Sequence, residues 1–326
     1  MDRRSFIATI GGLVTTSRDA FAQKRGPALV GFLCGESPQR WVRLVDAFRR
    51  GLGETGYTED KNLSIDYRWA EGQDERLPAL ARDLVRRPVD VLVSTGGPNP
   101  ALAAKAATST IPIVFTLGAD PVRLGLVSSL GRPGGNITGV GFSTAAVNEK
   151  RVQLLFEMVP KATVIGVLVA SDNPVAEATI KQVEAATRVL GPRTYVLRAR
   201  TERELDVAFT DFARARISAL FVGSDGFFYD RRAQITALAA RFGIAACYEL
   251  REYVEAGGLM SYGADLSEVY RLAGVYTGRI LGGVKPAELP VLQPTKLELA
   301  LNLPTARALG LNLPQPLQLR ADVLIQ

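Results

Sequence analysis

The stretch Ala28-Leu29-Val30-Gly31-Phe32-Leu33-Cys34 decides the fold, because this apolar run has the length of a strand and an amphipathic segment follows it directly. In that segment, apolar residues recur at helical spacing: Trp41, Leu44, Val45, Phe48 and Leu52. Gly53 and Gly56 mark the end of the predicted helix. A buried strand followed by a helix is the βα unit from which parallel sheets are built.

The same unit recurs along the chain, roughly every 30 residues. Further strands are predicted at residues 63–67, 89–94, 111–116, 164–169, 194–198, 218–222 and 244–247. Helices are predicted at residues 73–87, 98–107, 174–190, 202–215 and 230–242. The alternation of predicted strands and helices is interrupted between Asp120 and Ser143, because glycine and proline accumulate there. Two series separated in this way predict an α/β protein with two doubly wound parallel sheets.

The last part of the chain continues the alternation. Residues 259–263 resemble a strand, and a helix is predicted at 267–281. After three prolines, a strand at 296–301 and a short helix at 304–310 are expected. With 326 residues the chain is long enough for two domain-sized cores, so one long sheet is the less favoured alternative.

The composition excludes several classes of function. The chain is 47% hydrophobic and 22% charged, as is typical of a globular protein, and it has no histidine, the usual general base and zinc ligand. The net charge of +6 comes from scattered residues, so nucleic-acid binding is not expected. No apolar run approaches the roughly 20 residues of a membrane span, so an integral membrane protein is not expected.

The first residues have the pattern of an export signal. Arg3 and Arg4 precede a short apolar run at 8–14, and Ala20-Phe21-Ala22 forms a cleavage site. We therefore expect a twin-arginine-like signal peptide over residues 1–22, cleaved after Ala22. The alternative is a basic tail of a cytoplasmic protein. Because Gln23 and not cysteine follows, we expect no lipid anchor and a protein free in the periplasm.

Ligands of open parallel sheets bind at the carboxyl ends of the strands, so the loops there supply candidate site residues. In the first half these candidates are Cys34, Glu36, Ser94, Thr95, Gly96, Asn99 and Asp120. In the second half they are Ser143, Ser171, Asn173, Asp225, Phe227 and Tyr248. Ser94-Thr95-Gly96-Gly97 opens the helix at 98–107, where hydroxyl and N–H groups suit a carboxylate. The alternative is helix capping by the same hydroxyl groups.

Other candidates also allow two interpretations. Asp225 and Glu249 suit an ammonium group, or they are capping or solvated acids. Phe227, Phe228 and Tyr248 suit stacking on an aromatic ligand, although aromatic residues at a sheet end are more often core. Trp41 is favoured as core because its spacing matches Val45 and Phe48.

The sequence motifs of common enzymes are absent. No G-x-G-x-x-G follows the first strand, and neither G-x-x-x-x-G-K-[ST] nor G-x-S-x-G occurs. We therefore expect no cofactor and no metal, and a dinucleotide enzyme or nucleotidase is disfavoured. Carboxylate chemistry by Asp120 and Asp225 stays open as an alternative, because it needs no histidine.

Several strings along almost the whole chain carry a family resemblance. They are Arg3-Arg4-Ser5-Phe6-Ile7 with Gly11-Gly12, Ile111–Phe115, Asp120-Pro121-Val122 with Gly125-Leu126-Val127, Arg132–Gly139, Glu255–Gly263 and Pro294–Leu299. In this order they resemble the substrate-binding proteins of ABC transporters of the tryptophan/tyrosine-binding type, which have the type I periplasmic binding protein fold.

The resemblance implies two lobes joined by a three-crossover hinge, with crossings near Gly141, Gly258 and Val291. Lobe 1 would comprise residues 27–141 plus 259–290, and lobe 2 residues 142–258 plus 291–326. A small ligand, best an aromatic amino acid or related small aromatic acid, would be captured between the lobes by hinge closure. Glu36 stands where a small or hydroxyl residue is expected, and an acid there would repel a carboxylate or bind an amine.

The same resemblance implies the partners: a small-molecule ligand and an ABC permease with its ATPase. The chain would act as a monomer and not as an enzyme. The alternative is a periplasmic sensor that presents its liganded form to a receptor. Cys34 and Cys247 fall near strand ends, one in each lobe, so they either form a disulfide across the cleft or remain independent thiols.

Overall fold

A computed structural model describes residues 26–142, 145–294 and 296–326 of the chain. The strands are β1 (Ala28–Cys34), β2 (Leu63–Trp69), β3 (Val91–Thr95), β4 (Ile113–Leu117), β5 (Ile137–Gly141), β6 (Val164–Val169), β7 (Arg193–Arg198), β8 (Ala219–Val222), β9 (Ala245–Tyr248), β10 (Met260–Ala264), β11 (Leu297–Asn302) and β12 (Val323–Ile325). The helices are α1 (Pro38–Gly53), α2 (Leu77–Val85), α3 (Pro98–Ala107), α4 (Ala145–Met158), α5 (Ala176–Leu190), α6 (Glu202–Arg214), α7 (Gly226–Asp230), α8 (Arg232–Arg241), α9 (Arg251–Glu255), α10 (Leu266–Leu281), α11 (Leu303–Ala308) and α12 (Gln315–Leu319), with 3₁₀ turns at Asp74–Arg76 and Pro286–Glu288.

The first sheet has the strand order β2-β1-β3-β4-β5, and all its pairs are parallel. Its edge strand β5 lies inside the glycine- and proline-rich segment where the sequence analysis placed no strand. Gly139 of β5 is paired with Phe115 of β4, and a Cβ at Gly139 would collide with the Phe115 backbone and ring. The glycine that weakens the strand pattern is therefore needed for the close approach of β5 to β4.

The second sheet has the order β12-β11-β10-β9-β8-β6-β7. The predicted parallel arrangement holds except between β10 and β11, which run antiparallel with Tyr262 opposite Leu299. We call each sheet with the helices packed on it a lobe. The two sheets and their helices confirm the predicted α/β class.

Helix α10 packs against α1 of the first lobe at very short range. A Cβ at Gly51 of α1 would collide with the Arg271 carbonyl, and one at Gly274 of α10 would collide with the Phe48 carbonyl. The two helix backbones therefore touch because both contact positions are glycine. The chain therefore re-enters the first lobe with α10, after β10.

The middle crossing differs from the expectation that residue 259 enters lobe 1. Strand β10 pairs with β9 and β11 of the second sheet, so the chain crosses between Ala264 and Leu266 and not near Gly258. An apolar strand sequence does not specify which sheet it joins. The other passages between lobes follow β5, which ends at Gly141, and Leu292, whose backbone bonds to Gly139 and Gly141 of β5.

Helix α4 was not predicted, because polar side chains interrupt its buried face. Asn148 is 6% exposed and Arg151 is fully buried, among the apolar residues Val147, Val152 and Leu155. A buried arginine breaks the apolar periodicity from which helices are predicted. Among the described residues, no helix combines the length and the apolar character that crossing a membrane requires.

Candidate functional site

A cavity lies between the two lobes, at the carboxyl ends of both sets of parallel strands. Small residues of the strand-end loops form part of its wall: Gly96, Gly97, Pro98 and Gly118 from the first lobe, and Gly223, Ser224 and Gly226 from the second. Val175, Val222, Leu250 and Leu266 add aliphatic surface. This is the place at which open parallel sheets bind their ligands.

Aromatic side chains from both lobes line the cavity. The Trp41 indole nitrogen of α1 donates to the Tyr270 hydroxyl of α10 over 2.6 Å. The Trp41 ring meets Tyr229 of the second lobe edge-on, with centroids 5.2 Å apart, and Tyr229 meets Tyr253 at 6.4 Å. Phe142 completes the set. The aromatic wall is therefore shared by the two lobes.

Two carboxylates, Asp225 and Glu249, line the cavity in the second lobe. Asp225 caps α7 by accepting from the Phe227 backbone N–H at 2.8 Å, and it also accepts from the Asn173 amide at 2.8 Å. Burial raises the pKa of Asp225 to about 6, and the nearby Arg200 charge opposes this rise. Glu249 is 4% exposed. Acidic groups thus face the ligand space from one side.

Arg200 connects the lobes beside this cavity. Its guanidinium lies 3.1 Å from Asp225 and 2.8 Å from Asp172 of the second lobe, and 2.6 Å from Asp74 of the first lobe. Burial raises the pKa of Asp74, an effect that Arg200 opposes. Since Arg200 and Asp74 are both largely buried, this ion pair is screened less than a surface pair.

The lobes also meet through α1 and α7. Arg40 Nε lies 3.3 Å from Asp230, and the Ser37 hydroxyl donates to the same carboxylate over 3.4 Å. At the other contact, a Cβ at Gly226 would collide with the Glu36 carboxylate and the Gly96 carbonyl of the first lobe. Glycine at 226 is therefore required for this approach of the lobes.

Four residues that the sequence analysis considered for ligand binding line the cavity: Gly96, Asn173, Asp225 and Glu249. Cys34, Glu36, Ser94, Thr95 and Asn99 lie outside its lining. The Thr95 hydroxyl accepts from Thr116 at 2.9 Å and bonds to the Tyr270 hydroxyl, so it supports the wall from behind. Asn99 donates to Asp74 over 2.7 Å. Thr95 and Asn99 thus make hydrogen bonds within the first-lobe side of the cleft.

Glu36, expected in the site, is a contact between the lobes. It is 2% exposed and packs at Gly226. Burial and the charges of Asp225 and Asp230 raise the pKa of Glu36 well above its usual range. Glu36 therefore lies behind the cavity lining at Gly226.

The other predicted site residues are dispersed. Asp120 caps a surface turn by accepting from the Val122 N–H at 2.9 Å, and it lines a depression that adjoins the cavity at Gly118, Val175 and Ser224. Asp120 lines this depression and Asp225 lines the cavity, so the two acids belong to different parts of the cleft wall. Ser171 is exposed and outside the cavity lining, and Ser143 lies outside the described residues.

The aromatic candidates Phe227, Phe228 and Tyr248 belong to the hydrophobic core. Tyr248 is fully buried and stacks on Tyr253 with centroids 4.6 Å apart. Tyr248 therefore supports the cavity wall that Tyr253 forms. Trp41 was favoured as a core residue. It is buried, at 2% exposed, and it also lines the cavity.

Sequence reasoning missed Tyr229, Tyr253, Tyr270 and Arg200. Arg200 lies two residues after the end of β7, so the strand-end rule includes it in principle. The three tyrosines lie on helices, in apolar patterns that look like core. Only the packing of α7, α9 and α10 shows that these tyrosines reach the ligand space.

The buried Arg151 was also missed, and it sets the position of two cavity loops. Its guanidinium donates to the carbonyl oxygens of Val222 at 2.5 Å and Cys247 at 3.2 Å. It also lies 4.1 Å from the Phe221 ring centroid, a cation–π contact. Since Val222 and Cys247 precede cavity residues in the chain, Arg151 ties together the strand ends that carry the second-lobe wall.

Cys34 and Cys247 are both buried free thiols, so the disulfide across the cleft does not form. Cys34 lies in β1 of the first lobe and Cys247 in β9 of the second, and they belong to different hydrophobic clusters. Burial raises the pKa of both thiols. Within the described parts of the chain, no group of histidine, cysteine or acidic residues is arranged to hold a metal ion.

Two sheets between which the chain passes repeatedly, with a cavity walled by their strand ends, define a two-lobe protein of the type I periplasmic binding protein class. A family model described as "ABC transporter substrate binding protein" matches residues 36–325. The chain belongs to this family of ABC transporter substrate-binding proteins.

Three relatives illustrate the similarity. A tyrosine-binding protein of Clostridioides difficile is 26% identical over 255 residues, which are 78% of this chain and 73% of the relative. An ABC domain from Streptococcus pneumoniae, solved with L-Trp, superimposes with a TM-score of 0.85 at 23% identity, covering 92% of this chain and all of that one. The ligand-free, open structure of a Clostridium difficile substrate-binding protein with adhesive properties superimposes with a TM-score of 0.66 at 21% identity. This match covers 92% of this chain and 99% of that one.

Proposed function

We propose that this protein is the periplasmic solute-binding component of an ABC importer and that it captures an aromatic amino acid or a related small aromatic molecule between its lobes. The observation that carries the proposal is the aromatic wall that Trp41 and Tyr270 of the first lobe share with Tyr229 and Tyr253 of the second. An aromatic ligand held by both lobes would favour their approach, which is how binding is coupled to closure.

The contacts between the lobes support a closed arrangement. Arg200 with Asp74, Arg40 with Asp230, and the glycine contact at Gly226 all bridge the cleft. The chain also superimposes better on the structure solved with L-Trp than on the ligand-free, open relative, although both are about equally distant in sequence. Hinge motion would occur where the chain passes between the lobes, after β5, before α10 and after Leu292.

The remaining parts of the proposal follow from this role. The first lobe would comprise residues 26–141 and 265–292, and the second residues 145–264 and 296–326. A monomer would deliver its ligand to an ABC permease with its ATPase. Residues 1–22 would direct export and be removed, which a periplasmic protein beginning at Gln23 would demonstrate by mass spectrometry.

The names of two relatives support an aromatic ligand, since one is called tyrosine-binding and the other was solved with L-Trp. The test is thermal unfolding of protein refolded to remove carried-over ligand, against aromatic and aliphatic amino acids, aromatic acids, sugars and purines. A ligand at about 100 times its Kd adds roughly 2.7 kcal/mol of stability. We expect aromatic compounds to raise the Tm. Stabilisation by another class alone would overturn the ligand assignment.

A further inference from the structure

We propose that the cleft recognises its ligand through a positively charged amino group, and that a carboxylate on the ligand is not required. The inference rests on the proposed function and specifies the chemical class of the ligand as an aromatic amine, of which an aromatic amino acid is one kind. The juxtaposition that carries it is a cavity wall with acidic and aromatic side chains and, among the described residues, no basic one.

The charged groups of the wall are of one sign. Asp225 and Glu249 line the cavity, whereas none of the described lysines and arginines does. Arg200 contacts Asp225 but lies outside the lining, together with Asp74 and Asp172. A ligand carboxylate would therefore enter next to buried acidic groups on a wall without a basic side chain, and Arg200 behind this wall is already shared by three carboxylates. A charge buried in this way is strongly unfavourable.

Both acids lie on the second-lobe side of the cavity. The Asp225 carboxylate contacts Arg200, the Asn173 amide and the Phe227 N–H. Glu249 directly follows β9, lies on the same wall as Tyr253, and is 4% exposed. We assign the Glu249 carboxylate as the group that receives the ligand ammonium, because a charge-assisted hydrogen bond is strongest where water is excluded.

The aromatic rings favour a cation as well. Trp41, Tyr229, Tyr253 and Tyr270 line one continuous cavity, and ring faces attract ammonium groups. Tyr229 already holds a cation, since the Arg232 guanidinium lies 4.6 Å from its ring centroid. The rings can therefore pack against the ligand body and also stabilise its charge.

The predicted carboxylate site at the start of α3 is poor in donors. Two of the first three helix residues, Pro98 and Pro100, carry no backbone N–H. The Ser94 and Thr95 side chains lie outside the cavity lining, and the Thr116 hydroxyl, which belongs to a lining residue, donates to Thr95. The structure thus removes most of the groups that were expected to bind an anion.

The first test compares three versions of the same ring system on the wild-type protein by calorimetry. The series are L-tyrosine, tyramine and 3-(4-hydroxyphenyl)propionate, and L-tryptophan, tryptamine and indole-3-propionate. In the series whose amino acid binds more tightly, we expect the affinity of the amine to lie within about tenfold of that of the amino acid. We expect the acid of that series to bind at least about 100-fold more weakly than the amino acid.

The outcomes separate this inference from the proposed function. Binding of the acids but not the amines would overturn the inference and leave an aromatic-binding protein. Binding of the amino acids alone would also overturn it, because the carboxylate would then be required. If no aromatic compound binds and another class does, both the inference and the proposed ligand assignment fail.

A variant pair locates the group that binds the ammonium. Glu249→Gln keeps the shape but removes the charge, and truncating a buried charge pair costs at least about 2 kcal/mol, so we expect amine affinity to fall about 30-fold or more. Glu149→Gln, on the exposed side of α4, is the matched control. Unchanged amine affinity in folded Glu249→Gln protein would overturn the assignment. If the variant does not fold, the wild-type series decides.

Discussion

Arg200 Nη2 of the second lobe lies 2.6 Å from Asp74 Oδ2 of the first lobe, while the same guanidinium contacts Asp225 in the cavity wall at 3.1 Å. One side chain therefore joins a lobe contact to a ligand-facing residue. Since Arg200 is only 17% exposed, the energy of this contact is not lost to solvent screening to the extent expected at the surface. Approach of the lobes and the position of Asp225 are physically linked.

Replacing Arg200 should weaken ligand binding more than it weakens folding of either lobe. In Arg200→Ala the contact to Asp74 is lost and three carboxylates are left without their shared cation. We expect affinity for the stabilising ligand to fall about tenfold or more, measured by calorimetry. Arg198→Ala is the control, because its ion pair with Glu177 is largely exposed. Equal affinity of both variants would contradict a role of Arg200 in closure.

A methyl group at Gly226 should oppose approach of the lobes. The added Cβ would meet the Glu36 carboxylate and the Gly96 carbonyl, both in the other lobe, and overpacking of this kind costs about 1–3 kcal/mol. Gly226→Ala should bind ligand about tenfold more weakly and show less compaction on ligand addition in small-angle scattering. Gly131→Ala, where the Cβ meets open space, should behave as the wild type. Full compaction of Gly226→Ala would show that this contact does not limit closure.

The two tryptophans of the chain should report ligand binding differently. Trp41 lines the cavity and contacts Tyr270 and Tyr229, whereas Trp69 stacks on Tyr67 in β2, outside the lining. We expect a ligand-induced change in tryptophan fluorescence that persists in Trp69→Phe and disappears in Trp41→Phe. The reverse result would place the ligand outside the aromatic wall.

Stability should depend on pH through Asp225. Its pKa is raised to about 6 in the folded protein, so between about pH 4 and 6 the folded state holds a proton that the unfolded chain has lost. The free energy of unfolding should therefore fall as pH rises through this window. The effect is at most roughly 3 kcal/mol, since one pKa unit corresponds to about 1.4 kcal/mol.

The measurement is urea unfolding at several pH values between 4 and 6.5 for the wild type and Asp225→Asn, in which asparagine can still cap α7. As pH rises, the wild type should lose stability relative to this variant. The exposed Asp120→Asn serves as the matched control. A constant difference between the wild type and Asp225→Asn across the range would contradict the buried, ionisable state of Asp225.

Much of the fold could be predicted because burial follows chain-local patterns. Helix α3 occupies the predicted residues 98–107, and β6 the predicted residues 164–169. The failures have identifiable causes: glycine in β5, and the buried Arg151 and Asn148 in α4, break the apolar pattern without breaking the element. In both cases the compensating partner, Phe115 or the Val222 carbonyl, lies far away in sequence.

The candidate site was predicted less completely than the fold. The strand-end rule indicated Gly96, Asn173, Asp225 and Glu249, which line the cavity, because loop position relative to a strand is visible in the chain. It also indicated Glu36 and Thr95, which lie close to the cavity but whose side chains make contacts behind its surface. Side-chain direction depends on packing between lobes, and no local pattern encodes it.

The sequence by itself determines the alternating α/β architecture and the family, because hydrophobic periodicity and ordered strings of residues are properties of the chain alone. Only the tertiary structure decides which side chains face the cleft. Trp41, Tyr229, Tyr253 and Tyr270 come from helices at separate places in the sequence and meet only when the lobes and α10 pack together. The physical reason is that a ligand site between two lobes consists of long-range contacts, whereas strands and helices are specified largely by near neighbours.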